Sequence, residues 1–317
     1  MSTPAPAPLR IAIVGCGAMG SVYAGLLAKA GHDVLALSPR GAHMSAIAAQ
    51  GLHLTGASGD QVIRVATYTE APDTPVDLVV LATKALHAAA AIRGAAPLIG
   101  PETIVLAIQN GLGASEQVAE VVGPERLAVG IAAAFGASLR APGHAHHENT
   151  GKIVIGAYAA LPGARLERIA AAWSAAGMDA SVVPDIAAMQ WEKLICNVAY
   201  SGLCGITGRT VGAVMDSPDL GPVSRAAAQE AFDIARAAGI ALSVTDPVAH
   251  VLAFGEKVRG AKPSVLLDIE AGRPSEIDYI NGAIDRVART IDRCAPVNAT
   301  LTALVHDRVD RDAEGCR

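Results

Sequence analysis

Leu9–Leu37 reads LRIAIVGCGAMGSVYAGLLAKAGHDVLAL, and this stretch decides the fold. Leu9 to Val14 is a short apolar, β-branched run, the pattern of a strand buried on both faces. Ala18 to Ala30 follows as a helix ended by Gly31, and Asp33 to Leu37 returns as a second strand. A strand, a helix and a strand in that order open a doubly wound parallel sheet. Gly15, Gly17 and Gly20 fall between the first strand and the helix, where the spacing GxGxxG has a mechanical meaning. The first glycine permits the turn, the second lets backbone approach a pyrophosphate, and the third lets helix and strand pack closely. The helix N-terminus adds free N–H groups and a positive field for the anion. The motif Gly15-Cys16-Gly17-Ala18-Met19-Gly20 is therefore the candidate cofactor cradle.

The same stretch holds an 18-residue run without charge, Ile11 to Ala28, long enough to imitate a membrane span. Four glycines within it and the absence of a basic leader argue for a buried βα unit, so no membrane partner is expected.

Further strands are read at Asp77 to Ala82 and Thr103 to Ile108, with an Ala-rich helical stretch from Lys84 to Leu98 between them. Leu127 to Gly156 reads as two β-like runs joined through a Gly/His connection, expected as antiparallel additions at the sheet edge. After Pro184 the pattern turns to long Ala-rich helical segments with Pro and Gly joints. The expectation is an α/β domain over 1–184 and an all-helical domain over 185–317. Ile277, Ile280, Ile284, Val287 and Ile291 keep helical spacing and predict one stripe on the last clear helix, with Asp307 to Arg317 fraying beyond it.

Composition narrows the function. Among 317 residues, 25 basic and 30 acidic side chains give a net charge of −5, with no basic run, which argues against nucleic acid. Ten aromatic residues make a base-stacking platform improbable. Five cysteines, at 16, 196, 204, 294 and 316, show neither CxxC spacing nor a disulfide framework, so a cytoplasmic location is expected. On one helix, Cys196 and Cys204 would lie roughly 12 Å apart, beyond disulfide reach. His144, His146 and His147 invite a zinc reading, but no matched ligands follow at zinc spacing. A solvated hairpin is the expectation, with no metal. No GxSxG elbow supplies a hydrolase nucleophile.

The second strand ends in Leu37-Ser38-Pro39-Arg40, where NAD specificity would call for an acid on the ribose. Ser38 and Arg40 suit a 2′-phosphate instead, pointing to NADP, with a solvent-facing Arg40 as the plain alternative. The missing acid also counts against a methyltransferase.

Trp191 to Ala199 reads WEKLICNVA. Lys193, Asn197 and Ser201 are spaced i, i+4, i+8 and line one side of an otherwise apolar helix. Such a stripe is costly unless it faces water or a ligand; a lysine snorkelling from the helix start is the plain alternative.

GCGAMG, Thr83-Lys84, Gln109-Asn110-Gly111, WEKLICN and PSEIDYING, in this order and spacing, make the chain resemble the ketopantoate reductase (2-dehydropantoate 2-reductase) family from about Leu9 to Val309. The resemblance implies a Rossmann-type N-terminal domain, a helical C-terminal domain, and NADPH-dependent reduction of a 2-keto acid in the cleft between them. It makes Lys193 the general acid and Glu276 the acid beside it. It places Lys84 and Asn110 at cofactor and substrate, and Asn197, Ser201 and Ser264 at the substrate. Ser264 serves equally as a helix N-cap, Lys84 equally as a surface lysine, and Glu276 as an ordinary first-turn acid. Many family members carry a second Asn, then Pro, where this chain reads Ser201-Gly202, which opens the choice of 2-keto acid. The same residues would also serve an NADPH sensor without turnover. A homodimer stays open.

Overall fold

The computed structural model describes residues 7–315, so Cys316 lies outside the described residues. It divides into two compact units. The first comprises the described residues up to Gln109 together with Ala114–Ile186. The second comprises Asn110–Gly113 together with the described residues from Ala187 onward.

Twelve strands belong to the first unit: β1 (Arg10–Val14), β2 (Asp33–Leu37), β3 (Leu52–Gly56), β4 (Gln61–Ile63), β5 (Ala66–Tyr68), β6 (Leu78–Leu81), β7 (Ile104–Ala107), β8 (Leu127–Ala133), β9 (Gly136–Ala141), β10 (His144–Asn149), β11 (Lys152–Ala157) and β12 (Asp179–Val182). Eight form the main sheet in the order β12-β11-β8-β7-β6-β1-β2-β5. Every pairing in it is parallel except β11 on β8. Chain order runs from β1 to β2 on one side and reaches β6 on the other. The carboxyl end of β1 is thus a topological switch point, the place where open α/β sheets bind ligands. The expectation of two antiparallel edge additions is corrected: β8 continues the sheet in parallel, and only β11 reverses. The Gly/His connection between them is itself the hairpin β9–β10, which joins β3 and β4 in a second sheet of order β4-β3-β10-β9.

Helices α1 (Ala18–Lys29), α2 (Ala42–Gln50), α3 (Ala88–Gly94), α4 (Ala114–Val122) and α5 (Gly163–Ala175) complete this unit. The second sheet explains the uncharged run in α1. That helix packs against β1 and β2 as well as β3, β9 and β10, and Gly20 through Leu27 are all buried. A helix apolar all round is one covered on more than one side. A Cβ on Gly25 would come within 2.5 Å of Leu54 Cδ1, so any larger residue would have to displace the buried Leu54 side chain of β3. Tyr23 closes the same core, edge-on to Trp173 with ring centroids 4.9 Å apart. Among the described residues, no helix is long and apolar enough to cross a membrane.

The hairpin histidines are less solvated than expected. His147 is 1% exposed and stacks on Phe135 at 4.5 Å, while Thr55 Oγ1 lies 2.9 Å from both His144 Nε2 and His146 Nδ1. The pleat puts His147 on the face turned to the core, which HxHH spacing alone does not disclose. Among the described residues, no group of three or more His, Cys, Asp or Glu is arranged to hold a metal.

The second unit is helical: α6 (Ile186–Thr207), whose first residue still clusters with the sheet, then α7 (Val211–Met215), α8 (Leu220–Ala237), α9 (Pro247–Lys257), α10 (Ser264–Glu270), α11 (Asn281–Thr290) and α12 (Pro296–Gly315). Leu194, Ile195 and Val198 of α6 meet Ala227 and Ala231 of α8, Val265 of α10, Ile284 of α11 and Val305 of α12 in one core. A polar knot ties these helices. Asn281 Nδ2 donates to Val198 O and Asn298 Oδ1, and Asn298 Nδ2 donates to Ala227 O and Glu230. Both amides are bonded through Nδ2, as buried amide nitrogens require, while Asn281 Oδ1 is buried and finds no partner among the described residues.

Two helix expectations are corrected here. The isoleucine stripe is not one helix: Ile277–Tyr279 form a 3₁₀ turn, and Ile280, at φ −105° and ψ −94°, breaks it from α11. Apolar spacing of three and four survives the break, so Ile277, Ile280 and Ile284 still reach the core. Nor is that the last helix. α12 carries the segment expected to fray on through Gly315, supported by Asp307–Arg311 and Arg308–Asp312 pairs at i,i+4.

Candidate active site

The glycine turn is built by close approach. Gly15 sits at φ +97°, and its N–H donates to Leu37 O at 2.8 Å; a Cβ here would lie 2.6 Å from Thr83. A Cβ on Gly20 would fall 2.1 Å from Gly15 O. Gly17 is different. It is exposed, is the N-cap of α1 with no side chain bonding the free N–H groups, and a Cβ there would meet nothing within 4 Å. The first turn of α1 carries no acid. Its N–H groups therefore face open space with the helix field behind them, the arrangement that binds a phosphate. Cys16 is buried, its Sγ 3.4 Å from Ser21 Oγ, and burial pushes its thiol pKa up. It contributes backbone, not a reactive thiolate. Ala18 and Met19 lie half-buried in the first turn.

Past the end of β2, Ser38 is half-buried, with its N–H bonded to Tyr68 O, and Arg40 is exposed. Lys84 lies half-buried before a 3₁₀ turn, Ala85–His87, beyond β6. Two neighbours, Thr83 and Gln109, stand in the motifs quoted from the sequence, where they receive no role. Gln109 Nε2 donates to Leu81 O and to Thr83 O at 3.1 Å, which fixes the amide orientation and leaves Oε1 buried without a partner among the described residues. Thr83 Oγ1 is buried without a partner as well. Unsatisfied buried oxygens are rare, and two of them past the carboxyl ends of adjacent strands suit a polar ligand. The open Gly17 cradle and these two acceptors fit a dinucleotide.

In the second unit, Lys193 Nζ donates to Asn110 Oδ1 at 2.9 Å. Burial lowers the Lys193 pKa from 10.5 to about 8, while the carboxylate of Glu276 acts the other way and favours the charged form. Glu276 is 7% exposed and precedes the 3₁₀ turn Ile277–Tyr279. Asn110 reaches Lys193 because Asn110–Gly113 leaves the sheet sequence and docks on the helical unit. Leu112 N–H bonds Tyr279 O at 2.9 Å, and Gly111, at φ +81°, passes so close that a Cβ would lie 1.9 Å from the same oxygen. The segments QNG and PSEIDYING are thus bonded to each other, which linear motifs cannot show.

Asn197 is half-buried one turn beyond Lys193, and Ser201, one turn further, is buried at 3% exposure. Ser264 is exposed at the first residue of α10. The N-cap there is Pro263, so the capping alternative for Ser264 is not what the structure shows.

Comparison with known proteins agrees with this architecture. The family model described as "Ketopantoate reductase PanE/ApbA" matches residues 11–160, and "Ketopantoate reductase PanE/ApbA C terminal" matches 185–309. A 2-dehydropantoate 2-reductase of Pyrococcus horikoshii is 32% identical, covering 94% of this chain and 96% of its own. Among solved structures, a PanE/ApbA family ketopantoate reductase from Ralstonia eutropha superposes with TM-score 0.87 at 30% identity, covering 95% of this chain and 98% of its own. A D-mandelate dehydrogenase with NADH and anilino(oxo)acetate superposes with TM-score 0.89 at 27% identity, with the same coverage. With both halves of the fold matched, the chain belongs to the ketopantoate reductase family and is an oxidoreductase acting on a CH–OH group.

Proposed function

We propose that the chain reduces 2-dehydropantoate to pantoate with NADPH. The observation that carries this reading is the ammonium of Lys193, desolvated by burial, held by Asn110 and electrostatically favoured by Glu276. The similar proteins named 2-dehydropantoate 2-reductase support the same substrate.

On this reading Gly15 through Gly20 hold the pyrophosphate, Ser38 and Arg40 receive the 2′-phosphate, and Lys84 lies at the cofactor. The residues up to 184 serve as the NADP-binding domain, and the helical residues from 185 supply the substrate and catalytic side chains. The bound nicotinamide supplies the hydride for the carbonyl carbon. Lys193 gives the proton from Nζ to the carbonyl oxygen, where negative charge develops, and regains one from water. Asn110 Oδ1 directs the ammonium, and Glu276 keeps it charged despite burial. Asn110, Asn197, Ser201 and Ser264 are assigned to the substrate.

The Ser201-Gly202 departure favours a second reading, another branched or aromatic 2-keto acid on the same machinery. The mandelate dehydrogenase likeness supports it. An NADPH oxidation assay with 2-dehydropantoate beside a panel of 2-keto acids decides between them. NADPH binding in a calorimeter with no turnover on any of these points to a sensor and overturns both. Free thiols at Cys16, Cys196, Cys204 and Cys294 support placement in a reducing cytoplasm.

A further inference from the structure

The segment Asn110–Gly113 has two glycines in four residues, both at positive φ. Such a segment gains much freedom when released, so whatever pins it sets where Asn110 points. One pin is a guanidinium. Arg286 on α11 donates from Nη2 to Leu112 O at 2.8 Å and from Nη1 to Asp278 O at 3.1 Å. Its Cζ lies 5.9 Å from the centroid of the Tyr279 ring. Gly113 makes room for it, since a Cβ there would lie 2.6 Å from Nη2. The planar fork of Arg suits this task because it bonds two carbonyls from different segments at once; an ammonium is a single point.

We propose that Arg286 is a positioning residue: by joining the Leu112 and Asp278 carbonyls it holds Asn110 on Lys193 and keeps water from the proton donor. This rests on the reading of Lys193 as the acid, while the clamp itself is read directly from the bonds. Arg286 touches neither reacting group and acts through Leu112, Asn110 and Lys193 in turn.

The test uses Arg286→Gln and Arg286→Lys in the full chain. Three measurements separate positioning from mere stability: hydrogen exchange at the Leu112 amide, the pH midpoint of Lys193 acylation followed by mass spectrometry, and kcat with NADPH affinity. In Arg286→Gln, Leu112 exchange should quicken about tenfold or more, the scale of one lost charge-assisted bond. The acylation midpoint should rise from its wild-type value near 8, because admitted water relieves burial and replaces the lost acceptor. kcat should fall about tenfold with NADPH affinity unchanged. Arg286→Lys keeps the charge yet reaches one carbonyl, so it should shift exchange and midpoint in the same directions; an effect of charge alone would leave them at wild type. Unchanged Leu112 exchange, or an unchanged Lys193 midpoint despite faster exchange, overturns the proposal. A wild-type protein that reduces no 2-keto acid sinks the reductase reading instead, and exchange and acylation still decide the role of Arg286.

Discussion

Lys193 and Asn110 are 83 positions apart in the chain, yet Nζ and Oδ1 meet at 2.9 Å in the helical unit. Burial dominates the electrostatics of this ammonium and brings its pKa to about 8, within reach of physiological pH. On the proposed mechanism reduction consumes the protonated form, so kcat for keto acid reduction should be flat at neutral pH and fall tenfold per unit above about 8. Alcohol oxidation needs the neutral amine and should rise across the same range. A pH–rate profile in both directions checks this, and two parallel profiles would remove Lys193 from proton transfer.

The same depression carries a stability consequence of definite sign. Between pH 8 and 10.5 the unfolded chain binds a proton at Lys193 that the folded chain has released, so folding stability should rise with pH through this window. Below pH 8 both states are charged and the folded one carries the full burial cost. Lys193→Met removes the group and should flatten this slope in urea unfolding measured across the window.

Substitution at the pair separates chemistry from binding. Lys193→Ala should reduce kcat by about 10²–10⁴, the range for loss of a positioned acid, while NADPH still binds. Asn110→Ala should lower kcat less, because the ammonium remains. The double variant should resemble Lys193→Ala alone if the two act as a unit, a non-additivity read from single-turnover rates.

How much of this was legible beforehand depends on locality. The βαβ opening was readable because Gly15, Gly17 and Gly20 each answer a requirement set within a dozen residues of chain. The Lys193 stripe was readable because helical geometry aligns i and i+4. Non-local features were hidden. Nothing adjacent to Asn110 tells that its segment docks on Tyr279, since the partner carbonyl and Arg286 lie far along the chain. The break at Ile280 was hidden for another reason: a 3₁₀ turn followed by a helix repeats nearly the same apolar spacing as one helix. His147 entered the core because the hairpin joined a second sheet, a pairing that no short motif encodes.

On the NADPH reading proposed above, cofactor choice turns on the end of β2. Arg40 is exposed, and no acid stands beside Ser38 in the sequence. Arg40→Ala should weaken NADPH binding by roughly tenfold to a hundredfold, the scale of a charge-assisted phosphate contact, and leave NADH little changed. Ser38→Asp should repel the 2′-phosphate and favour NADH. Titration calorimetry with both nucleotides measures this, and equal losses for both would exclude a 2′-phosphate contact at Arg40.

The two glycines three residues apart should fail differently. Gly17 has φ −84° and ψ −155°, which alanine adopts without strain, and its Cβ would enter empty space. Gly17→Ala should therefore lower Tm by only about two to four degrees, since alanine is a poorer N-cap than glycine by about 1 kcal/mol. The added methyl should nevertheless weaken the dinucleotide by about tenfold or more, because it occupies the space through which backbone approaches the pyrophosphate. Gly20→Ala drives a Cβ to 2.1 Å from the Gly15 carbonyl, a backbone atom that cannot swing aside. It should cost about 3 kcal/mol, at the upper end for overpacking, and lower Tm by several degrees even without cofactor. Melting curves with and without NADPH separate the two. A Gly17→Ala protein that melts as expected and binds NADPH as tightly as wild type would show that the dinucleotide does not approach through this turn.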